Sequence, residues 1–281
     1  MYQFPIGAII DCFRTDFDDA LRQAAELGAK GIQMYATTGE HSPEVMTTAM
    51  RREMLDKVKS HGLCFSAICG DFGKGFWDPQ ENLRLIEGSK RIMEMAKELE
   101  TNIVTTHIGV VPDDPNHDRY KIMQEACREL AEYADSLDSH FAIETGPETA
   151  EVLKGFLDSL GSRGVAVNFD PANLVMVKKD DPVKGVHLLK DYIVHTHAKD
   201  GIHVWDKDPE IMYGIKKEAT PSPRAGKEFP LGQGDVPFPE YLKALDEVGY
   251  RGFLTIEREV GDNPAADIRT AADFLRATMK G

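Results

Sequence analysis

The chain has 281 residues, 42% hydrophobic and 28% charged, enough for the core of one large domain or two modest ones and far too long for a disulfide-stapled miniprotein. Its 33 Lys and Arg against 47 Asp and Glu give a formal charge of −14, which disfavours a sequence-independent grip on nucleic-acid phosphates or an anionic bilayer. No stretch reaches the roughly 18 apolar residues of a membrane span, and MYQFPIGAII lacks the charged and apolar regions of a signal peptide. Four cysteines with no CxxC pair suit a reducing compartment, so the expectation is a cytoplasmic protein.

Eight β-rich runs are expected as strands: 5–10, 31–35, 64–70, 102–109, 140–146, 165–170, 193–200 and 252–258. Runs such as VAVNF and NIVTTHI are apolar without strict alternation, as parallel strands covered on both faces require. Between them lie helical patterns such as PEVMTTAMRREMLDKVKSHG and DPQENLRLIEGSKRIMEMAKELE, many opened by Pro, Asp or Ser and closed by Gly. Eight βα units in a chain of this length predict a (β/α)8 TIM barrel, usually about 250 residues, with 1–281 as one domain. A doubly wound sheet would carry a Gly-rich phosphate turn after its first strand, and AIIDCFRTDF has none. One connection is abnormal. Residues 201–237 follow the seventh strand as a long, partly basic loop expected over the C-terminal mouth, with Trp205, Tyr213 and Phe229 either covering that mouth or packing on outer helices.

The last four strands each end on a chemically competent side chain. AIETG supplies Glu144, VNFDPAN supplies Asp170, VHTHAKD supplies His195 and His197, and LTIERE supplies Glu257. Side chains at alternate positions of a parallel barrel strand point inward, so these groups converge at the C-terminal mouth. Three carboxylates and an imidazole repel or neutralise one another in a low-dielectric mouth unless a divalent cation is held between them. Taken singly, each acid is as well explained as a helix cap or a loop ion pair; taken together, Glu144, Asp170, His197 and Glu257 are expected as metal ligands. Three hard oxygens and one nitrogen without a thiolate favour Mn²⁺, with Mg²⁺, Co²⁺ or Zn²⁺ as the other candidates. Such an ion polarises a carbonyl and stabilises a developing enediolate, while Glu144 and Glu257 act as a paired base and acid at carbon. No organic cofactor is implied. His195 shares the inward parity of His197 but lies a layer deeper, as a hydrogen-bonded core histidine.

Other inward candidates for substrate binding are His107 in TTHIG, Gln33 on the second strand, and Lys199, for which an ion pair with Asp200 is the plainer role. Trp77, with Phe76, follows the third strand and offers either an apolar wall for a sugar ring or ordinary packing. Arg258 has the parity opposite to Glu257 and should face the helices.

The ordered motifs AIETG, NFDPAN, VHTHAKDG, PLGQGDVPF and FLTIERE resemble the xylose isomerase-like TIM-barrel superfamily, specifically its sugar phosphate isomerase/epimerase branch, which is related to ketose 3-epimerases and inosose dehydratases. The resemblance covers nearly the whole chain and is strongest from residue 140 onward. It implies metal ligands at Glu144, Asp170, His197 and Glu257 and acid/base glutamates at Glu144 and Glu257. Asn173 stands where ketose 3-epimerases tend to carry a substrate-contacting His, which argues against an ordinary ketose 3-epimerase. The extra histidines of the trinuclear endonuclease branch are replaced by Ala67 to Gly70, Asn173, and Gly226 with Glu228. The expected activity is therefore a metal-dependent sugar isomerase or epimerase acting on a small carbohydrate. The alternative is a dehydratase or lyase on an inosose or 3-oxo-sugar; a non-catalytic sugar- or metal-binding barrel and an endonuclease-like hydrolase stand a distant third. No nucleic-acid or membrane partner is expected, and self-association into a homo-oligomer is left open.

Overall fold

The computed structural model describes residues 2–281. Eight parallel strands close into a barrel in the order β1-β10-β7-β6-β5-β4-β3-β2. They are β1 (Ile6–Ile9), β2 (Gly31–Tyr35), β3 (Cys64–Cys69), β4 (Ile103–Thr106), β5 (His140–Glu144), β6 (Val165–Phe169), β7 (Ile193–Ala198) and β10 (Leu254–Ile256). Each falls within an expected run, but most are shorter at the C-terminal end. The residues trimmed off include Asp170 and Glu257, which stand two residues beyond the inward-facing Asn168 and Thr255 and share their parity; the Glu257 N–H still donates to the Ala198 carbonyl.

Helices α1 (Phe17–Glu26), α2 (Thr48–Ser60), α3 (Pro79–Glu98), α4 (Asp118–Ser136) and α5 (Ala150–Leu160) lie between successive strands. After β6 come α6 (Pro171–Asn173), a π-type turn over Leu174–Lys178 and α7 (Pro182–Leu189); α9 (Phe238–Glu247) and α10 (Pro264–Lys280) complete the ring. The caps are written in the sequence. Asp78, Asp181 and Asn263 each accept a backbone N–H at the start of their helix and are followed by Pro at its first position. The pattern beginning at Pro43 becomes helical only at Thr48, because the Thr47 side chain caps the helix through the Met50 N–H. No helix among the described residues is long and apolar enough to cross a membrane.

Strand parity divides the interior. On β6, Val165, Val167 and Phe169 face the helices, while Asn168 points to the axis and meets side chains of β5 and β7. The axis beneath the mouth is polar and fully buried. His195 Nδ1 lies 2.8 Å from Asn168 Oδ1, and Thr255 Oγ1 lies 2.9 Å from His195 Nε2. Burial and the neighbouring His197 hold His195 well below the ordinary histidine range, so it sits neutral in this network as a core histidine.

The segment 201–237 is more ordered than a loop. β8 (Asp200–His203) and β9 (Gly226–Phe229) form an antiparallel hairpin, with α8 (Pro209–Met212) between them. Asp200, expected at the end of the seventh strand, instead begins this hairpin. Its carboxylate accepts the backbone N–H groups of Gly201, Gly232, Gly234 and Val236 at 2.8–3.1 Å, which explains why the PLGQGDV stretch is glycine-rich. A Cβ on Gly234 would stand 2.2 Å from Asp200 Oδ1.

A close approach also fixes how β6 enters the barrel. A Cβ on Gly164 would lie 2.0 Å from the Ala131 carbonyl oxygen and 2.4 Å from the Asp135 nitrogen, both backbone atoms of α4. Gly164→Ala must push α4 off the sheet, and is expected to cost about 2–3 kcal/mol, the upper range of core overpacking. Urea denaturation checks this: the midpoint should fall with little change in slope.

Candidate metal centre and active site

Glu144 ends β5, Asp170 directly follows β6, His197 lies on β7 and Glu257 directly follows β10. All four are buried, and one ligand atom from each lies within 4.8 Å of those from the other three. Among the described residues this is the one such cluster of acidic, His or Cys side chains. His197 Nδ1 is 3.0 Å from Glu257 Oε2, 3.6 Å from Glu144 Oε1 and 3.8 Å from Asp170 Oδ2.

The surroundings dictate what the cluster can hold. His197 Nε2 faces both Gln33 Oε1 at 3.1 Å and Asn168 Nδ2 at 3.2 Å, while Nδ1 faces the three carboxylates. Without a cation the carboxylates are met by a protonated imidazole, and a cation that displaced that proton would find Nδ1 placed to ligate it. Asn168 Nδ2 donates to Glu144 Oε2 and Asn173 Nδ2 to Glu144 Oε1, both at 3.0 Å, so Glu144 is held from outside. Asp170 Oδ2 and Glu257 Oε2 are buried without a well-directed donor. Two orphaned carboxylate oxygens and an imidazole nitrogen, converging with a third carboxylate, fit a divalent cation; the O3N donor set carries no preference for one ion by itself.

Electrostatics agree. Burial opposes charge on His197, but Glu257 and Glu144 outweigh it and hold the imidazole well above its ordinary range. Burial likewise raises Asp170, whereas Glu257 is brought below the usual carboxylate range, against its own burial, by Lys199 and His197. The cluster draws positive charge inward from every side.

Around it lies a cavity of about 520 Å³ lined by Gln33, His107, Asn173 and Lys199 among others. Lys199 does not pair with Asp200. Its Nζ stands 3.3 Å from Glu257 Oε2 and 2.6 Å from Glu259 Oε2, because Asp200 is consumed by backbone donors. Trp77 does not line the cavity. It packs against the core beside Gly109, whose Cβ would meet the Trp77 ring at 3.3 Å, and Phe76 is fully buried edge-on to Phe141. The aromatic surface comes instead from Tyr35 and from Tyr213, which follows α8 and sits 5.9 Å from the His107 ring. Arg258 faces outward, bonded to Glu228 at 2.6 Å and Asp267 at 2.7 Å.

Sequence reasoning also missed Asp71, whose Oδ2 lies 3.0 Å from His107 Nδ1 while His107 Nε2 lies 3.5 Å from Glu144 Oε1. Burial works against charge on His107, but Glu144 and Asp71 push it up to about 10. Asn168, Tyr35 and Glu259 were findable by parity, each standing two residues from a singled-out inward residue. Of the three aromatics expected either over the mouth or on the outer helices, Tyr213 lines the cavity.

The sequence profile of the family described as xylose isomerase-like TIM barrel matches residues 21–278. The chain belongs to that family. Within it, an inosose dehydratase of Clostridium perfringens is 27% identical over 151 residues, which take in 51% of this chain and 48% of that enzyme. The chain thus spans about half the length of the curated relatives it matches. A xylose isomerase domain protein from Planctomyces limnophilus superposes with a TM-score of 0.81 at 26% identity, covering 99% of this chain and 97% of that one. A D-psicose 3-epimerase from Clostridium cellulolyticum superposes at 0.73 and 15% identity, over 98% and 99% of the two chains, which is a likeness of fold. The relatives matched over about half of the chain include inosose dehydratases, and the likeness to the epimerase is one of fold alone.

Two measurements follow. After chelation, adding Mn²⁺ is expected to raise the thermal midpoint, corresponding to about 2.7 kcal/mol at a hundredfold excess over Kd, and Asp170→Asn should remove the rise. No rise with any of Mn²⁺, Mg²⁺, Co²⁺ or Zn²⁺ would contradict the cluster's fit. The second concerns Glu148, buried below the mouth with Oε1 unpartnered and burial pushing its carboxyl up to about 8. Unfolded, it ionises near its ordinary value of 4.5; folded, it stays protonated until about 8, so its contribution is complete at low pH and drains away as pH rises through that window. Glu148→Gln, which never ionises, should gain stability over the parent between pH 5 and pH 8 by roughly 2–4 kcal/mol. An equal difference at both pH values would refute this.

Proposed function

We propose that the protein is a divalent-metal-dependent isomerase or epimerase of a polyhydroxylated keto compound, working by proton transfer at the carbon next to a carbonyl. The observation that carries the reading is the pair of glutamates inside one cation-fitting cluster: Glu144 from β5 and Glu257 after β10 approach from different strands. Bound by Glu144, Asp170, His197 and Glu257, the ion, with Mn²⁺ the first to try, supplies Lewis acidity toward the carbonyl and hydroxyl oxygens of the substrate.

The side chains do the rest. One glutamate removes a proton from carbon and the other returns one, and two carboxylates on opposite sides of a planar intermediate are what inversion at carbon needs. Lys199 and His197 keep Glu257 ionised and so ready to accept a proton. His107, held by Asp71, faces the cavity as a donor to a substrate oxygen, and Gln33, Lys199 and Asn173 complete its polar wall. Tyr213 and Met212, brought over the mouth by the β8–β9 segment, limit water at the reacting carbon. The substrate is a small carbohydrate, handled in the cytoplasm. A dehydratase or lyase reading uses the same first step, with Lys199 protonating a departing β substituent. Lys199 beside Glu257 and the match to inosose dehydratase favour keeping it as the second reading.

In deuterated water with Mn²⁺, recovered ketose should carry deuterium at the exchanging carbon. Glu144→Gln and Glu257→Gln should each lower exchange at least about 10³-fold, in keeping with loss of a general acid or base. His195→Ala should retain measurable turnover, because its ring stays neutral in the layer below. Full exchange by Glu257→Gln under saturating metal sinks the mechanism, while net loss of water or release of a fragment selects the elimination reading.

A further inference from the structure

A second cavity, of about 860 Å³, opens beside the first and shares Asn173, Lys199, Met212, Tyr213 and Glu259 with it. The two are neighbours across a wall that includes the Tyr213 ring and the Lys199–Glu259 ion pair. Its character is different. Its large aliphatic lining is Met176, Val177, Val204, Ile211, Met212 and Val260, and of these Val204, Met212 and Val260 are 49%, 38% and 38% exposed. Large apolar side chains gathered at the rim of one cavity mark a surface built to be covered.

The floor is fixed in advance. Met176 lies on the π-type turn after β6, and its side chain is wedged under the hairpin: a Cβ on Gly201 would stand 2.5 Å from Met176 Sδ, and one on Gly226 2.4 Å from Met176 Cβ. Only glycine at both places lets the hairpin descend this far. His203 Nδ1, 2.9 Å from the Met176 carbonyl oxygen, ties the same contact down. The outer edge is basic. Lys207 is neutralised by Glu218 at 2.9 Å, but among the described residues Arg224 and Lys227 have no carboxylate within ion-pair distance, and Lys227 Nζ instead lies 4.8 Å from the Phe229 ring centre.

We propose that this second cavity is a substrate subsite for a ring-sized, apolar substituent carrying an acidic group at its outer end, attached to the polyhydroxylated part that occupies the metal cavity. The proposal rests on the reading above that the first cavity takes a carbohydrate. A monosaccharide alone is too polar for Val204, Ile211 and Val260 and leaves the larger cavity wet. An aromatic substituent covers those side chains, passes Tyr213, and presents a carboxylate to Arg224 and Lys227. Enclosed apolar space with a few convergent polar groups is the ordinary form of a small-molecule site.

Calorimetry on the Mn²⁺-loaded protein tests this with three glucosides that lack the keto group and so are not turned over: methyl, phenyl and 4-carboxyphenyl β-glucoside. The 4-carboxyphenyl compound should bind at least tenfold tighter than the methyl compound. Val204→Trp, which fills the cavity from an exposed position, should bring the two within twofold of each other without changing the methyl compound's Kd. Arg224→Glu should weaken the 4-carboxyphenyl compound about fivefold and leave the phenyl compound unchanged. Equal binding of aryl and methyl compounds by the parent, equal weakening of both by Val204→Trp, or no binding of any of the three overturns the subsite. Deuterium exchange into an unsubstituted ketose is the separate readout of the chemistry: its absence alongside intact aryl binding refutes the reaction and spares the subsite.

Discussion

Three carboxylates and an imidazole gathered within 4.8 Å at the dry end of a barrel constitute a debt of negative charge on which the rest of the site depends. Two like charges 4 Å apart repel by about 4 kcal/mol at the effective dielectric of a protein's outer regions, and three such pairs exceed what a marginally stable domain can leave uncompensated. Compensation is visible in every neighbouring side chain. Gln33, Asn168 and Asn173 present hydrogen-bonding groups, Lys199 bridges Glu257 and Glu259, and His107 stands between Glu144 and Asp71. The layer beneath is neutral, with His195 uncharged, so the field of the cluster is directed outward to the mouth rather than into the core.

The pleat delivers the acids to that centre. Asp170 and Glu257, one residue beyond β6 and β10, keep the inward parity of Asn168 and Thr255, and the Glu257 N–H still donates to the Ala198 carbonyl. Asp170 has a second duty: its Oδ1 accepts the Asn173 N–H at 2.9 Å, so the acid caps the turn whose Asn173 side chain returns to grip Glu144. The cap expected of Asp170 taken singly is present, and the same hydrogen bonds leave its other oxygen facing the cluster.

The eight strands, their parallel order and the convergence of four strand ends were legible because each depends on local rules: apolar runs, Pro and Asp helix starts, and the two-residue period that decides which side chains face inward. The same period would have found Asn168 two residues before Asp170 and Glu259 two after Glu257. Two things were not legible. The fate of Lys199 was misjudged because Asp200 is its neighbour in sequence, yet three backbone N–H groups from a loop more than thirty residues away, with that of adjacent Gly201, claim that carboxylate first. Which of the two readings of Trp77 and of Tyr213 holds was also open: Trp77 packs on the core and Tyr213 lines the cavity, placed by long-range contacts such as the Arg119–Glu210 ion pair that anchors α8.

Isomerisation, epimerisation and elimination at a keto-sugar share one first step, loss of a proton from the carbon beside the carbonyl, and so would place the same demands on the proposed metal centre. They part at what stands next to that carbon afterward. An epimerase needs a second carboxylate on the opposite face; an eliminating enzyme needs a proton donor near the departing oxygen and room for what departs. The first requirement falls on β5 and β10, parts of the barrel proper, and the second on Lys199, Tyr213 and the β8–β9 hairpin. A barrel of this kind can therefore change reaction by remodelling one insertion while its charged centre stays the same, and the insertion after β7 is where this chain departs most from a minimal barrel.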